Sequence, residues 1–362
     1  MSLMSGSTSL EQLKKKYEDF KRFSLEISVD GTKMSADQDI HIYHLNLDLT
    51  SGLEASGCSF LVGGCYSFED QDFDKKAEKF QIGAKIEIFL GYQKVESVFE
   101  GYINAVSYEF GLEEEPVIRV RGMDAKGLLM KNRRLEAFKE KKADAVVKKL
   151  LSEQPVSHFL SGKSIDSCPE EEVPLRSGMK TDYEIIAELA RKLGYEFFII
   201  QGKAYFQKGQ KNTSPITTLT PEFGVQECIC SVSGNTLVQS VEVRSIHSGN
   251  GKLISGSSKL TGSFGKKASK LYQGTTQVFY EAGVSSPKEA GDRAEARMEE
   301  IKSGFGSLEL VCRGIPELVP GRFLKLDGFS SSVNGSYYIR SVTHSCSPDG
   351  FQTRIQGCRK HL

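Results

Sequence analysis

One phrase occurs twice in this chain, and it restricts the possible folds more than any other feature. The first copy reads Gly83-x-Lys85-Ile-Glu-Ile88, Tyr102-Ile-x-x-Val106-Ser-Tyr108 and Arg119-Val-Arg-Gly122. The second reads Gly321-x-Phe323-Leu-Lys-Leu326, Tyr338-Ile-x-x-Val342-Thr-His344 and Arg354-Ile-Gln-Gly357. The small differences in spacing fall where loops can absorb them. Each copy alternates apolar and polar residues between turn residues, the period-two signature of half-buried antiparallel strands. The duplication therefore predicts two β-barrels related by pseudo-symmetry, so that an oligomer of n chains would present 2n similar units.

At 362 residues the chain is too long for one ordinary core, and its length suggests two or three domains. Lys+Arg and Asp+Glu both number 47, so no global field draws the chain to nucleic acid or an anionic membrane. With a mean hydropathy of −0.32 and no apolar run of membrane-spanning length, the sequence predicts a soluble protein. The first residues, Met1-Ser-Leu-Met-Ser-Gly-Ser7, have neither a cationic start nor an apolar core, so no secretory signal is expected. Eight cysteines without a C-x-x-C pair read as reduced thiols acting as small apolar residues. Cys228 and Cys230 should share one face of a strand, which would suit a bridge or half a metal site, but no other ligand lies near them in sequence.

Composition changes along the chain in four steps. Residues 1–22 form an N-terminal arm: Ser9-x-x-Gln12 is a capping box opening a helix with Leu10, Leu13, Tyr17 and Phe20 on one stripe. Residues 23–130 alternate as strands, with Asp30-Gly31 as a hairpin turn and Glu113–Pro116 dividing two runs, and constitute the first barrel. Residues 131–225 read as a small α+β insert. It holds a helix near 143–151, a second helix capped by Thr181-x-x-Glu184 and stopped at Gly194, and a hairpin over 195–207.

Residues 226–362 form the second barrel, with a helix opened by Ser286-Pro287-Lys-Glu289. Between Arg244 and Tyr280 there is no Asp or Glu, whereas Lys252, Lys259, Lys266, Lys267 and Lys270 stand among Gly and Ser. Such a composition is expected to leave a mobile basic loop over part of its length. The fold class expected is thus α+β and β-rich, with two pseudo-repeated antiparallel β-barrels and an α+β insert.

The survey for chemistry identifies no catalytic, cofactor-binding or metal-binding residue. Gly162-Lys163-Ser164 resembles the end of a phosphate loop, but the first glycine of that motif would stand at Ser157, so a plain turn is expected. His41 and His44 are three apart on a strand, which puts their rings on opposite faces. Glu113-Glu114 and Glu170-Glu-Glu172 lie in polar runs, as do the Asn212 and Asn334 sequons. A structural protein rather than an enzyme is expected. The runner-up is a cell-wall or carbohydrate-binding module with a hydrolase site in the insert, a reading weakened by the absence of Trp.

Two stretches carry a family resemblance. Phe99-Glu-Gly-Tyr102-Ile-x-x-Val-Ser-Tyr108 followed by Ile118-Arg-Val-Arg-Gly-Met-Asp124-Ala-Lys-Gly-Leu-Leu-Met130 resembles the first barrel of the late-control-D group of phage tail hub proteins. Val319-Pro-Gly321-x-Phe-Leu-Lys-Leu326 and Asn334-Gly-Ser-Tyr-Tyr338-Ile-x-Ser-Val342-Thr-His344 are similar to its second barrel. The resemblance spans roughly residues 20–360 and extends to the hub part of type VI secretion spike proteins.

It implies the baseplate hub of a contractile tail or injection machine, made in the bacterial cytoplasm and assembled into a virion or tail-like particle. As a homotrimer it would form a pseudo-sixfold ring joining a hexameric tail tube or tube initiator to a trimeric spike, beside other baseplate proteins. Spike proteins of type VI systems continue into a further barrel and β-helix, whereas this sequence stops at Leu362, so a separate spike docking near residues 355–362 is expected.

Overall fold

The capping signals act where the sequence places them. A computed structural model describes residues 3–34, 40–111, 115–169, 177–247, 249–265 and 267–361. Ser9 accepts the Gln12 backbone N–H and Gln12 accepts that of Ser9, which opens α1 (Leu10–Lys16). Leu13 and Tyr17 on its apolar stripe are buried, and the Tyr17 hydroxyl donates to Glu317 at 2.7 Å, so the arm docks on the second half of the chain.

Nine strands follow: β1 (Ser24–Val29), β2 (Thr32–Met34), β3 (His41–Thr50), β4 (Gly57–Gly63), β5 (Tyr66–Ser67), β6 (Asp72–Phe73), β7 (Lys85–Gly91), β8 (Val95–Glu109) and β9 (Val117–Met123). Asp30 and Gly31 both take positive φ in the tight turn from β1 to β2, as a two-residue hairpin loop demands. Leu25, Lys33 and Met34 of β1 and β2 and residues Ile40–Tyr43 around the start of β3 line an open cavity of about 490 Å³.

α2 (Lys126–Leu129) follows β9, and the insert then holds α3 (Ala143–Leu150), β10 (Gly162–Ile165), α4 (Asp182–Leu193), β11 (Tyr195–Ile200) and β12 (Lys203–Lys208). Thr181 and Glu184 form the capping box of α4, and Gly194 ends it in the left-handed conformation at φ 65°. Val146, Val147, Leu150, Ile186 and Phe206 pack in a core distinct from that of the main sheet. Gly162-Lys163-Ser164 is not the turn expected: it is strand β10, pairing parallel with β12, because the long-range Gly162–Lys203 alignment satisfies its backbone.

The remainder comprises β13 (Pro215–Leu219), β14 (Val225–Val232), β15 (Ser240–Ile246), β16 (Leu253–Lys259), α5 (Ala268–Leu271), β17 (Thr276–Tyr280), α6 (Pro287–Lys302), β18 (Gly306–Arg313), β19 (Phe323–Leu326), β20 (Gly335–Ser347) and β21 (Gly350–Arg359). Ser286 caps α6 through the Glu289 N–H, with Pro287 in its first turn. Among the described residues the acid-free stretch is strand at 244–246, in β16 and in β17, with turns, loop and α5 between them; β16 and β17 flank β15, and α6 covers Val241, Val243 and Ile254. Alternate residues of β15 and β16 meet that helix, so a few apolar side chains suffice to order a Gly- and Ser-rich segment.

A 13-stranded sheet unites the two halves in the order β14-β18-β21-β20-β3-β4-β9-β8-β7-β1-β2, with β19 beside β20 and β13 beside β19. Leu47, Phe60, Ile88, Leu310, Leu324 and Ile355 belong to one continuous core beneath it. The residues of Glu113-Glu114, Glu170-Glu-Glu172, Lys266 and Leu362 lie outside the described part.

Candidate assembly interface

The duplicated phrase folds twice into one hairpin, down to its irregularity. Tyr102 lies opposite Met123 and Ile103 opposite Gly122; the register then slips by one at Asn104, and Val106 faces Val120. Tyr338 lies opposite Cys358 and Ile339 opposite Gly357; the slip falls at Arg340, and Val342 faces Ile355. Each hairpin starts at a glycine in the positive-φ region, Gly83 at 94° and Gly321 at 83°, whose N–H donates to Ile103 O at 2.8 Å and Ile339 O at 3.1 Å. A shared bulge position is a strong sign of common origin, because a bulge re-aims every later side chain. The neighbours agree as well: Cys58 of β4 faces Gly122, and Leu308 of β18 faces Gly357. The units part at their edges, where β1 runs antiparallel to β7 but β13 runs parallel to β19.

β3 and β20 join these units. The first part of β20 is paired by β19 and the rest, Ser341–Cys346, by Thr50–Leu45 of β3. Leu45, Leu47, Leu49, Val342, His344 and Cys346 all point to the core side and are buried. The opposite face is polar: Thr343 donates to Asp48 at 2.6 Å, Ser345 to Asn46 at 2.9 Å, and a cavity of about 320 Å³ opens there between Glu54, Arg354 and Gln356.

A buried pair of charges holds the loop beyond β3. Asp124 accepts the N–H groups of Ser56 and Lys126, while Lys126 Nζ donates to Gly52 O at 3.1 Å and Glu54 O at 2.8 Å. Burial pushes the Asp124 carboxyl up to about 6 and lowers the Lys126 ammonium. Ser51 on the same loop gives both its N–H and its hydroxyl to Arg340 O, at the bulge. The pair lies in the Gly-Met-Asp124-Ala-Lys126 phrase, but composition alone gives no reason to bury either charge.

The other sequence candidates stay apart. His41 and His44 are exposed, and a bulge in β3 turns the His44 ring onto Tyr43. Cys228 and Cys230 do share a face, with Sγ atoms 3.9 Å apart, and burial raises the Cys228 thiol to about 12. Among the described residues no His, Cys, Asp and Glu cluster could hold a metal ion, and no helix is long and apolar enough to cross a membrane. Asn212 and Asn334 close local turns, accepting the N–H groups of Ser214 and Phe329. Arg322 escaped sequence reasoning altogether. It is fully buried and donates to the carbonyls of Leu3, Gly6 and Ser214, fastening the arm.

This two-unit architecture is that of known tail proteins. The chain matches a 43 kDa tail protein of prophage MuSo2 from Shewanella oneidensis at a TM-score of 0.71 and 13% identity, covering 93% of this chain and 98% of that one. It matches a tail protein from Neisseria meningitidis MC58 at 0.70 and 12%, over 94% and 100%. The E. coli c3393 protein, a component of the type VI secretion system, matches at 0.58 and 13%, over 91% and 76%. At these identities the likeness is one of fold. The family model of the Alg8 N-terminal domain matches residues 21–348, and the chain belongs to that family. No curated protein matches the chain.

Proposed function

We propose that this protein is a structural subunit of a tail or baseplate, acting as the hub of a contractile injection machine and related to the late-control-D group. The observation that carries the reading is the pair of hairpins with one register and one bulge, joined edge to edge in a single sheet. Three such chains present six similar units, which lets a trimer match a sixfold tube on one side and a threefold spike on the other. The polar face of the joined sheet, with Asp48, Thr343, Arg354 and Gln356, suits a wetted channel wall. Lys252, Lys259, Lys267 and Lys270 are exposed and form no ion pair among the described residues, which suits contact with an acidic neighbour or cargo. The hub performs no chemistry of its own in this reading.

Co-expression with tube and spike proteins encoded beside it, followed by electron microscopy of the purified complex, tests the proposal. A ring holding three copies between tube and spike is expected. A chain that binds neither protein, or one found at the outside of the particle, would refute the hub assignment. Replacing Lys259 and Lys267 by Glu is expected to weaken assembly while leaving the thermal unfolding curve unchanged.

A further inference from the structure

The intrachain joint leaves two unmatched edges, and they are its own two halves. β3 covers the second part of β20, but in the other unit β7 stops pairing β8 at Tyr102, and no backbone bond covers that side of residues 105–109 among the described residues. At the far end of the sheet β14 pairs, among the described residues, with β18 alone. By position in the repeat β14 is the counterpart of β3. Leu47 faces Cys58 and Cys230 faces Leu308, and Cys58 and Leu308 hold equivalent places against Gly122 and Gly357.

We propose that β14 of one copy pairs antiparallel with residues 105–110 of the next copy, setting Val232 opposite Val106, Ser231 opposite Ser107 and Cys230 opposite Tyr108. The register follows from the internal joint, where Leu49 faces Val342, Asp48 faces Thr343 and Leu47 faces His344. The number of copies rests on the ring reading above; the pairing itself rests on the repeat.

Burial supports the same occupant. Leu49 and His344 are at most 1% exposed in the joint, whereas their counterparts Val232 and Tyr108 are 54% and 57% exposed, and Phe110, the counterpart of Cys346, is 65% exposed; Cys230, the counterpart of Leu47, is half-buried. Phe110 also stands 5.7 Å from the ring of Tyr66 and 5.8 Å from that of Phe73, so an aromatic patch borders the open edge. An open edge with apolar flanks is what a paired strand would cover, and the segment that fits it here belongs to a second copy. The contact is heterologous, head to tail, and repeats around a closed ring.

The test replaces Ser107 and Ser231 by Cys in a chain whose Cys228 and Cys230 are Ala. Oxidation is expected to give covalent trimers on a non-reducing gel, whereas Ser107→Cys with Glu227→Cys, four positions out of register, is expected to give none. Tyr108→Asp and Val232→Asp alter exposed side chains, so each variant should fold as wild type yet associate at least about tenfold more weakly by analytical ultracentrifugation. Trimers that persist in both Asp variants without an in-register cross-link would overturn this pairing and leave the ring standing. A wild type that stays single up to its solubility limit and never cross-links would overturn both. Cross-linked ladders longer than three would keep the pairing and overturn the three-copy ring.

Discussion

Tyr102 and Tyr338 hold the same place in two copies of one hairpin, yet their hydroxyls meet different chemistry. Tyr338 donates to the half-buried Glu196 of the insert at 2.5 Å, whereas the Tyr102 hydroxyl reaches Met123 Sδ at 3.9 Å while its ring packs on Phe159 at 5.2 Å. The insert is thus clamped between the units, by a polar bond on one side and an apolar contact on the other.

Tyr338→Phe is therefore expected to cost about 1–3 kcal/mol, because it takes one donor from the half-buried Glu196 carboxyl. Tyr102→Phe should cost about 0.5 kcal/mol or less, since a thioether is a weak acceptor. Urea midpoints at an unchanged m-value measure both. Equal losses would show that the clamp is not asymmetric.

His344 makes stability depend on pH. Its ring is fully buried with Nδ1 2.9 Å from Thr353 Oγ1, and burial lowers its pKa to about 4. The unfolded chain takes up this proton below about 6.5, the folded chain only below about 4, so stability falls as pH drops through that window. The full effect is on the order of 3 kcal/mol. Asp124, raised to about 6, acts in the opposite sense between about 4 and 6, so the wild-type curve alone understates the effect. The difference between wild type and His344→Gln isolates it, and that difference should shift against the wild type as the pH is lowered from 7 to 4.

Gly122→Ala should be the more damaging of two equivalent glycine substitutions. A Cβ at Gly122 would stand 2.1 Å from Ile86 Cδ1 and 2.7 Å from Cys58 Sγ, whereas one at Gly357 would first meet Tyr338 O at 3.0 Å. Overpacking of this kind costs about 1–3 kcal/mol. Adding Ile86→Val, which removes the nearest atom, should recover part of the loss in thermal unfolding; no recovery would point to the backbone instead.

Arg322→Met removes the bonds to Leu3 O and Gly6 O that hold the arm, together with the one to Ser214 O. The Thr8 N–H, bonded to Ile216 O at 2.7 Å, should then exchange with solvent faster, while amides of β20 and β21 keep their protection. Unchanged exchange at Thr8 would show that α1 alone holds the arm.

What is local or repeated in this fold can be read from the order of residues along the chain. Ser9, Thr181 and Ser286 cap their helices because the partner N–H lies three residues on, and Gly194 ends α4 because the left-handed conformation favours glycine there. The duplicated phrase specified both hairpins, since alternation with one buried face leaves a strand a single workable register. Tertiary structure alone decided what depends on distant backbone. The joint between β3 and β20, the parallel pairing of β10 with β12 and that of β15 with β17 all follow from strands meeting across dozens to hundreds of residues. Lys126, Asp124 and Arg322 are buried because folding brings carbonyls and N–H groups to them, so their desolvation is offset by partners whose convergence no spacing in the chain encodes.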